Sequence, residues 1–323
     1  MSDGSDFGKG ADGWRLLARS DATTNNPEAR RLVQEAEAAV PSTFDWKSDG
    51  PLLPKRRAQG KCRICGQFSR LTREHIPPRA SGNKSVTVAH NIDNWLSTKD
   101  LSLPSRGPIQ QGGISGFTLC QDCNNFTGHQ YGREYRKWVT QTNEVLRTLP
   151  SVAVLDALAQ PLGLHIQLGS SNSQGVRPGA FVRQVLSFMC SLSGAWDLAG
   201  QHPEVRDMIL DQTIEPMPVG LALGMCLYLG PRIRIAGPTL RIVPEEQLWE
   251  WLIELAYPPF AFLFVLASNQ ASPGRGLMMT DWTQIGCDSR QLFEGPTRVG
   301  FGWTPYPGDY RSSGEIAATV PLQ

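Results

Sequence analysis

The chain has 323 residues, 40% of them hydrophobic and 19% charged, with a formal net charge of +1. That length and composition fit a folded protein of one or two domains and exclude a disordered or fibrous chain. No apolar run reaches the roughly 18–20 residues of a membrane helix, and the polar N-terminus with Asp3, Asp6 and Asp12 does not read as a secretory signal, so no membrane partner is expected.

In chain order, residues 1–54 read as a poorly ordered segment rich in Gly, Asp, Asn and Ser and closed by Pro51 and Pro54. A short helix over residues 27–39 is predicted inside it. Leu32 and Val33 are its only large apolar residues, so weak docking or none is expected. From Lys61 the punctuation changes. Cys62-Arg-Ile-Cys65-Gly66 is a tight knuckle, and glycine permits the reversal after it. Residues 71–76 read as a strand ended by Pro77-Pro78. A long polar connection follows, with residues 86–88 as a candidate strand and Trp95-Leu96 as a candidate anchor. A further strand over residues 114–119 delivers the chain into Cys120-Gln-Asp-Cys123. Tyr131, Tyr135, Trp138, Val139, Thr142, Leu146 and Leu149 then recur at steps of three and four, as one face of an amphipathic helix requires.

The remainder, residues 151–323, reads as a separate α+β domain. Helices are predicted over residues 180–192 and 245–256, the second with Leu248, Trp249, Leu252 and Leu255 on one face. Strands are predicted over 219–229, 232–235, 239–243 and 260–267, separated by Gly and Pro turns. The division expected is therefore 1–54, 55–150 and 151–323.

Charge singles out the middle segment. Residues 51–150 carry fifteen Lys/Arg against six Asp/Glu, and within residues 55–84 nine basic groups face one acid, Glu74. A polyanion such as nucleic acid suits that field, because phosphates attract it at long range and release counterions on binding. A solvated basic surface is the plainer alternative.

The cysteines carry the first chemical signal. Seven is an odd number, and four of the seven form two Cys-x-x-Cys pairs. This is not the pattern of a secreted disulfide scaffold, so a reducing, cytoplasmic setting is expected. Cys190, Cys226 and Cys287 then serve as small core hydrophobes. Two thiolate pairs complete a tetrahedral S₄ zinc site. A redox pair is disfavoured, because nothing nearby resembles a thioredoxin βαβ unit. Cys65 and Cys120 are separated by 54 residues, far more than the roughly 15–20 of a simple ribbon. A functional insertion is expected between the knuckles.

That insertion contains Glu74-His75. Phosphodiester hydrolysis needs a base for water, which neutral imidazole supplies, and a hard cation such as Mg²⁺ or Mn²⁺ held by oxygen ligands. Asn124, directly after Cys123, offers a further oxygen.

Cys62-x-x-Cys65-Gly66, Leu71-Thr-Arg-Glu-His-Ile-Pro-Pro78 and Leu119-Cys-x-x-Cys-Asn124-Asn125 together resemble the HNH endonuclease family. The likeness is to the subgroup in which a treble-clef-like zinc site supports a ββα-metal module. It covers roughly residues 61–138. The resemblance implies a metal-dependent endonuclease, with DNA as the expected substrate, and the family at large suggests bacterial defence. It implies His75 as general base, with Glu74 and Asn124 as ligands of a catalytic Mg²⁺ or Mn²⁺. Asp is the more usual residue at the position of Glu74. Cys62, Cys65, Cys120 and Cys123 match the structural zinc ligands. The family's middle Asn, which shapes the loop and orients the base, is missing: Ser115 stands at its usual distance from the second pair, and Asn91 or Asn94 are the substitutes considered.

Arg73, Arg79 and Lys84 are candidate phosphate contacts. His129 is a weaker candidate for the same metal or a phosphate, with an exposed helix position as its plainer reading. His90, His165 and His202 show no catalytic context. Tyr131, Tyr135 and Trp138 are read as core rather than as a base-stacking platform. Residues 151–323 would supply target selection, homodimerisation, or sensing of a ligand or protein partner. A zinc-binding adaptor that holds nucleic acid without cutting it is the alternative.

Overall fold

The computed structural model describes residues 27–38, 52–85, 87–88, 109–148, 165–168, 175–212, 216–227, 233–243, 247–267, 277–290 and 293–296. Most of the segment 1–54 lies outside the described residues, as do His90, Asn91, Asn94, Trp95 and Leu96.

The architecture is α+β. Helix α1 (Pro27–Ala38) comes first, opened by a proline at its start. Strand β1 (Gln59–Lys61), the first cysteine knuckle and strand β2 (Phe68–His75) form a hairpin, and β2 also pairs with β5 (Ser115–Cys120) to give an antiparallel sheet ordered β1-β2-β5. Between them, β3 (Thr87–Val88) and β4 (Ile109–Gln110) form a two-stranded ribbon. Helix α2 (Gln121–Gln130) starts at the second knuckle, and α3 (Gly132–Thr148) follows at once. The helix expected from Tyr131 onward is thus the second of a pair. The first carries few apolar residues, and helical periodicity does not detect it.

Strand β6 (His165–Leu168) pairs with the late strand β12 (Phe293–Pro296). Helix α4 (Pro178–Leu192) has Pro178 in its first turn, and all fifteen residues are buried. A helix buried on every side must satisfy its polar groups internally. Arg183 does so by donating to the carbonyls of Met208, Gly179, Ile285 and Thr283. Short helices α5 (Leu198–Gln201) and α6 (Pro203–Leu210) lead into an antiparallel sheet. Its strands are β7 (Leu221–Leu227), β8 (Arg234–Val243), β9 (Leu248–Tyr257), β10 (Phe260–Ala267) and β11 (Leu277–Met278), in the order β11-β7-β10-β9-β8.

Two expectations are corrected. The helix expected over residues 245–256 is replaced, from Leu248 onward, by strand β9, flanked by β8 and β10. Trp249, Trp251, Ile253, Leu255 and Tyr257 alternate into the main core, while Leu252 and Ala256 join a second cluster on the opposite face. Both faces are buried, so the strand is apolar at nearly every position and periodicity loses its power to separate strand from helix. Nor is α1 loosely attached. Leu32 and Ala36 are fully buried, and Trp251 Nε1 donates to the Ala36 carbonyl at 3.0 Å.

One buried cluster runs from Leu32 and Ile64 through Tyr135 and Trp138 to Phe181, Phe188, Phe262 and Trp282. Trp138 stacks on Phe181 with ring centroids 4.2 Å apart, and Tyr135 stacks on Phe181 at 5.4 Å. Tyr131, Tyr135 and Trp138 are therefore core residues. Cys190 and Cys287 are buried, the former completely.

Candidate functional site

Two knuckles converge on one point. Cys62 and Cys65 lie in the turn between β1 and β2, where Gly66, at φ 74°, donates to the Cys62 carbonyl at 2.9 Å. Cys120 ends β5 and caps α2 by accepting from the Cys123 amide at 3.4 Å. The sulfurs of Cys62, Cys65, Cys120 and Cys123 all lie within 4.8 Å of one another. Cys65 and Cys120 Sγ are 3.8 Å apart, too far for a disulfide. That separation is the edge of a tetrahedron with metal–sulfur bonds of about 2.3 Å. The ionisation pattern points the same way. A hydrogen bond from Cys123 holds the Cys62 thiol down at about 4, whereas burial pushes Cys65 up to about 11 and the Cys62 sulfur pushes Cys123 up as well. Four sulfurs this close cannot all ionise without a positive ion among them. The donor set suits zinc.

Neither a family model nor a curated protein nor a solved structure matches the chain.

The zinc-type cluster fixes the relative positions of β2, β5 and α2. In the β2–β5 ladder, Thr72 faces Leu119 and Arg73 faces Phe117, so Thr118 is the extra residue of a bulge. Bulges re-aim neighbouring side chains. Here Thr118 donates to Glu74 Oε2 at 2.8 Å, and Ser191 on α4 donates to the same oxygen at 2.5 Å. Glu74 is 5% exposed. Burial dominates its ionisation and pushes the carboxyl up to about 7, against the pull of the two hydroxyls.

His75 is the last residue of β2. It is half-buried beside a cavity of about 310 Å³ lined by Arg73, Glu74, His75, Arg79, Asn124 and Arg136, among others. Burial and the nearby charges of Arg73 and Arg79 lower its pKa, while a hydrogen bond to the Gly112 backbone acts in the opposite sense. The imidazole is consequently biased toward the neutral form. Asn124, on the first turn of α2, reaches the same cavity. Its Nδ2 donates to Thr72 Oγ1 at 2.9 Å and the Arg73 carbonyl at 3.3 Å. That leaves Oδ1 as the arm of the amide outside these bonds.

Of Ser115, Asn91 and Asn94, which the sequence offers for a loop-organising role, only Ser115 is among the described residues. Ser115 accepts from Arg73 Nε at 2.9 Å through its hydroxyl. Fully buried Asn83 donates from Nδ2 to the carbonyls of Pro77 at 2.6 Å and Ile114 at 2.9 Å, and its Oδ1 accepts from the Ile114 amide at 2.7 Å. It thus ties the exit of β2 to the entry of β5, just beyond the His75–Ser115 pair that ends the ladder. Gly112 and Gly113 sit opposite at φ 75° and 90°. The only sequence signal for Asn83 is its place in the Ser-Gly-Asn turn after Pro78.

Among the other candidates, Arg73 and Arg79 line the cavity, whereas the exposed Lys84 does not. His129 is exposed near the end of α2 and is not among the lining residues. His202 packs edge-on against Trp196 at 6.3 Å, away from the site. Sequence reasoning missed Arg133, Arg136 and Gln184, which also line the cavity. The two arginines lie on the polar side of α3, where attention to its apolar stripe passes over them.

Proposed function

We propose that the chain is a metal-dependent endonuclease of HNH type, with a zinc-stapled ββα module and DNA as its expected substrate. The observation that carries this reading is that His75 and Asn124 border one arginine-lined cavity beside the four-cysteine cluster. His75, biased toward its neutral form, takes a proton from water as that water's oxygen bonds to phosphorus. The bond from phosphorus to the leaving oxygen breaks in line with the attack. Glu74 and Asn124 are the residues to hold a Mg²⁺ or Mn²⁺, since both border the cavity and Asn124 keeps Oδ1 outside its bonds to β2. Such an ion supplies charge neutralisation at the phosphate and the leaving oxygen. Arg73 and Arg79 attract the phosphate. Residues 151–323 take the role of target selection, homodimerisation or partner sensing. A cytoplasmic defence role against foreign DNA suits the reading.

One observation favours the adaptor alternative. The Glu74 Oε2 atom is held by Thr118 and Ser191, so only Oε1 remains for an ion. Incubation with plasmid and Mg²⁺ or Mn²⁺, beside His75→Ala, decides between the two. Nicking by the wild type and not by the variant supports the nuclease. Equal inertness of both across metals and salt concentrations supports the adaptor.

A further inference from the structure

Four arginines surround the cavity, two on each side. Arg73 and Arg79 come from β2 and the turn after it, and Arg133 and Arg136 from the first turns of α3. Among the described residues none of the four takes part in an ion pair. The nearest acid in sequence, Glu134, is buried and already engaged. It accepts from Trp138 Nε1 at 3.1 Å, from the Arg177 amide at 2.8 Å and from Arg177 Nε at 3.2 Å. Glu74, the one acid that also lines the cavity, is buried and spends Oε2 on the hydroxyls of Thr118 and Ser191. Like charges brought together without counter-charges repel one another, and an anion relieves that repulsion.

Spacing distinguishes the two pairs. Arg73 stands two residues before His75 on the same strand and faces the reacting side. Arg133 and Arg136 are three residues apart, so they share one face of α3. Gly128 and Gly132 line the cavity beside them and present no side chain to fill it. Buried Gln184 reaches this wall from α4. Its Nε2 donates to Ser187 Oγ at 2.9 Å, and Ser187 in turn donates to the Gln184 carbonyl at 2.8 Å. Those bonds orient the amide so that Oε1, which has no hydrogen-bond partner, is left over on the side of Gly132.

We infer that Arg133 and Arg136 form a second phosphate subsite, which grips the backbone phosphate next to the one presented to His75, so that a single nucleic-acid strand crosses the cavity from β2 to α3. The inference rests on the proposed nuclease reading for its substrate, but its test does not require cleavage.

The probe is a ten-residue oligothymidylate bound to the full chain with no divalent ion added, followed by fluorescence anisotropy at several salt concentrations. Each phosphate contact on a single strand contributes roughly 0.7 to the slope of log K against log salt. The double variant Arg133→Gln/Arg136→Gln, which removes the grip on one phosphate, should flatten that slope by about 0.7 relative to wild type. Arg147→Gln, exposed at the far end of the same helix, should leave it unchanged. Retained zinc content and circular dichroism establish that the double variant is folded. An unchanged slope in the double variant, an equal change in Arg147→Gln, or no binding of the oligonucleotide at all overturns the subsite. Plasmid nicking that depends on His75 tests the nuclease reading separately, so either idea can fail alone.

Discussion

Ser191 of α4 donates a 2.5 Å hydrogen bond to Glu74 of β2 across 117 positions of sequence. The residue expected to hold a metal is thereby tied to the helix at the centre of the core. Arg63, inside the first cysteine knuckle, reinforces the link by donating to the Ser191 carbonyl and to the Leu52 carbonyl at 2.7 Å. The cysteine cluster, the cavity and α4 therefore form one packed unit.

This link makes stability pH-dependent. Burial raises the Glu74 carboxyl to about 7 from an ordinary 4.5, so the folded chain holds that proton more tightly than the unfolded chain does. The contribution is fully present below about pH 4.5 and is lost as pH rises through about 7. Its size is on the order of 3 kcal/mol, at about 1.4 kcal/mol per pH unit. Glu74→Gln should remove this dependence. Urea denaturation of the zinc-loaded protein without other divalent ions, at pH 5 and pH 8, should show the variant gaining on the wild type at the higher pH. Parallel behaviour of the two proteins would contradict the burial argument.

Asn83 is predicted to be the most sensitive polar residue of the loop. Asn83→Ala leaves the Pro77 carbonyl and the Ile114 amide without their partner, while the Ile114 carbonyl keeps the Ile76 amide, and an orphaned buried group costs about 1–3 kcal/mol. A total loss of about 2–4 kcal/mol is expected once water re-enters the site. Gly113→Ala should act through the same contact, because a Cβ there would fall 2.3 Å from both the Asn83 carbonyl oxygen and Oδ1, at a φ of 90°. Thermal denaturation checks both. Wild-type melting temperatures would show that the loop is held by something else.

His75 is depressed below its ordinary pKa by burial first and by Arg73 and Arg79 next. A general base works deprotonated, so kcat/KM should fall on the acid side with a midpoint below 6.5. Removing a neighbouring positive charge relieves the depression. Arg73→Gln should therefore move the midpoint upward, and NMR titration of the His75 ring should follow the same shift with no substrate present. A ring that titrates above 6.5 in the wild type would rule out this electrostatic picture.

Legibility in the sequence follows physical type. The cysteine pairs are readable, because chelation fixes their spacing, and the structure brings all four sulfurs together. Helix α4 and strand β10 are readable from apolar runs of suitable length. Strand β9 is not: Trp249, Leu252 and Leu255 fall at helical steps by coincidence in a strand buried on both faces. Asn83 escapes because a single side chain bonding three backbone groups depends on where a loop returns, which local sequence does not encode. The docking of α1 escapes for a related reason. Two small contacts, Leu32 and Ala36, suffice when Trp251 meets them from the far end of the chain.

Metal removal tests the foundation of the site. Cys62 and Ile64 are essentially inaccessible, and both belong to the continuous core. Cys120 ends β5 and caps α2, so losing it also frees the start of that helix. Zinc binding to such a cluster is folding energy. Cys62→Ala or Cys120→Ala should abolish zinc retention and much of the ordered structure, because the fault passes through Arg63 and Ser191 into α4. Cys190→Ala, buried but outside the cluster, should keep its zinc and lose only the packing of one small side chain. Zinc stoichiometry by atomic absorption and circular dichroism read the two effects independently. Full zinc content in both cluster variants would mean that the four thiols do not share one ion, and the positions argued for His75 and Asn124 would lose their anchor.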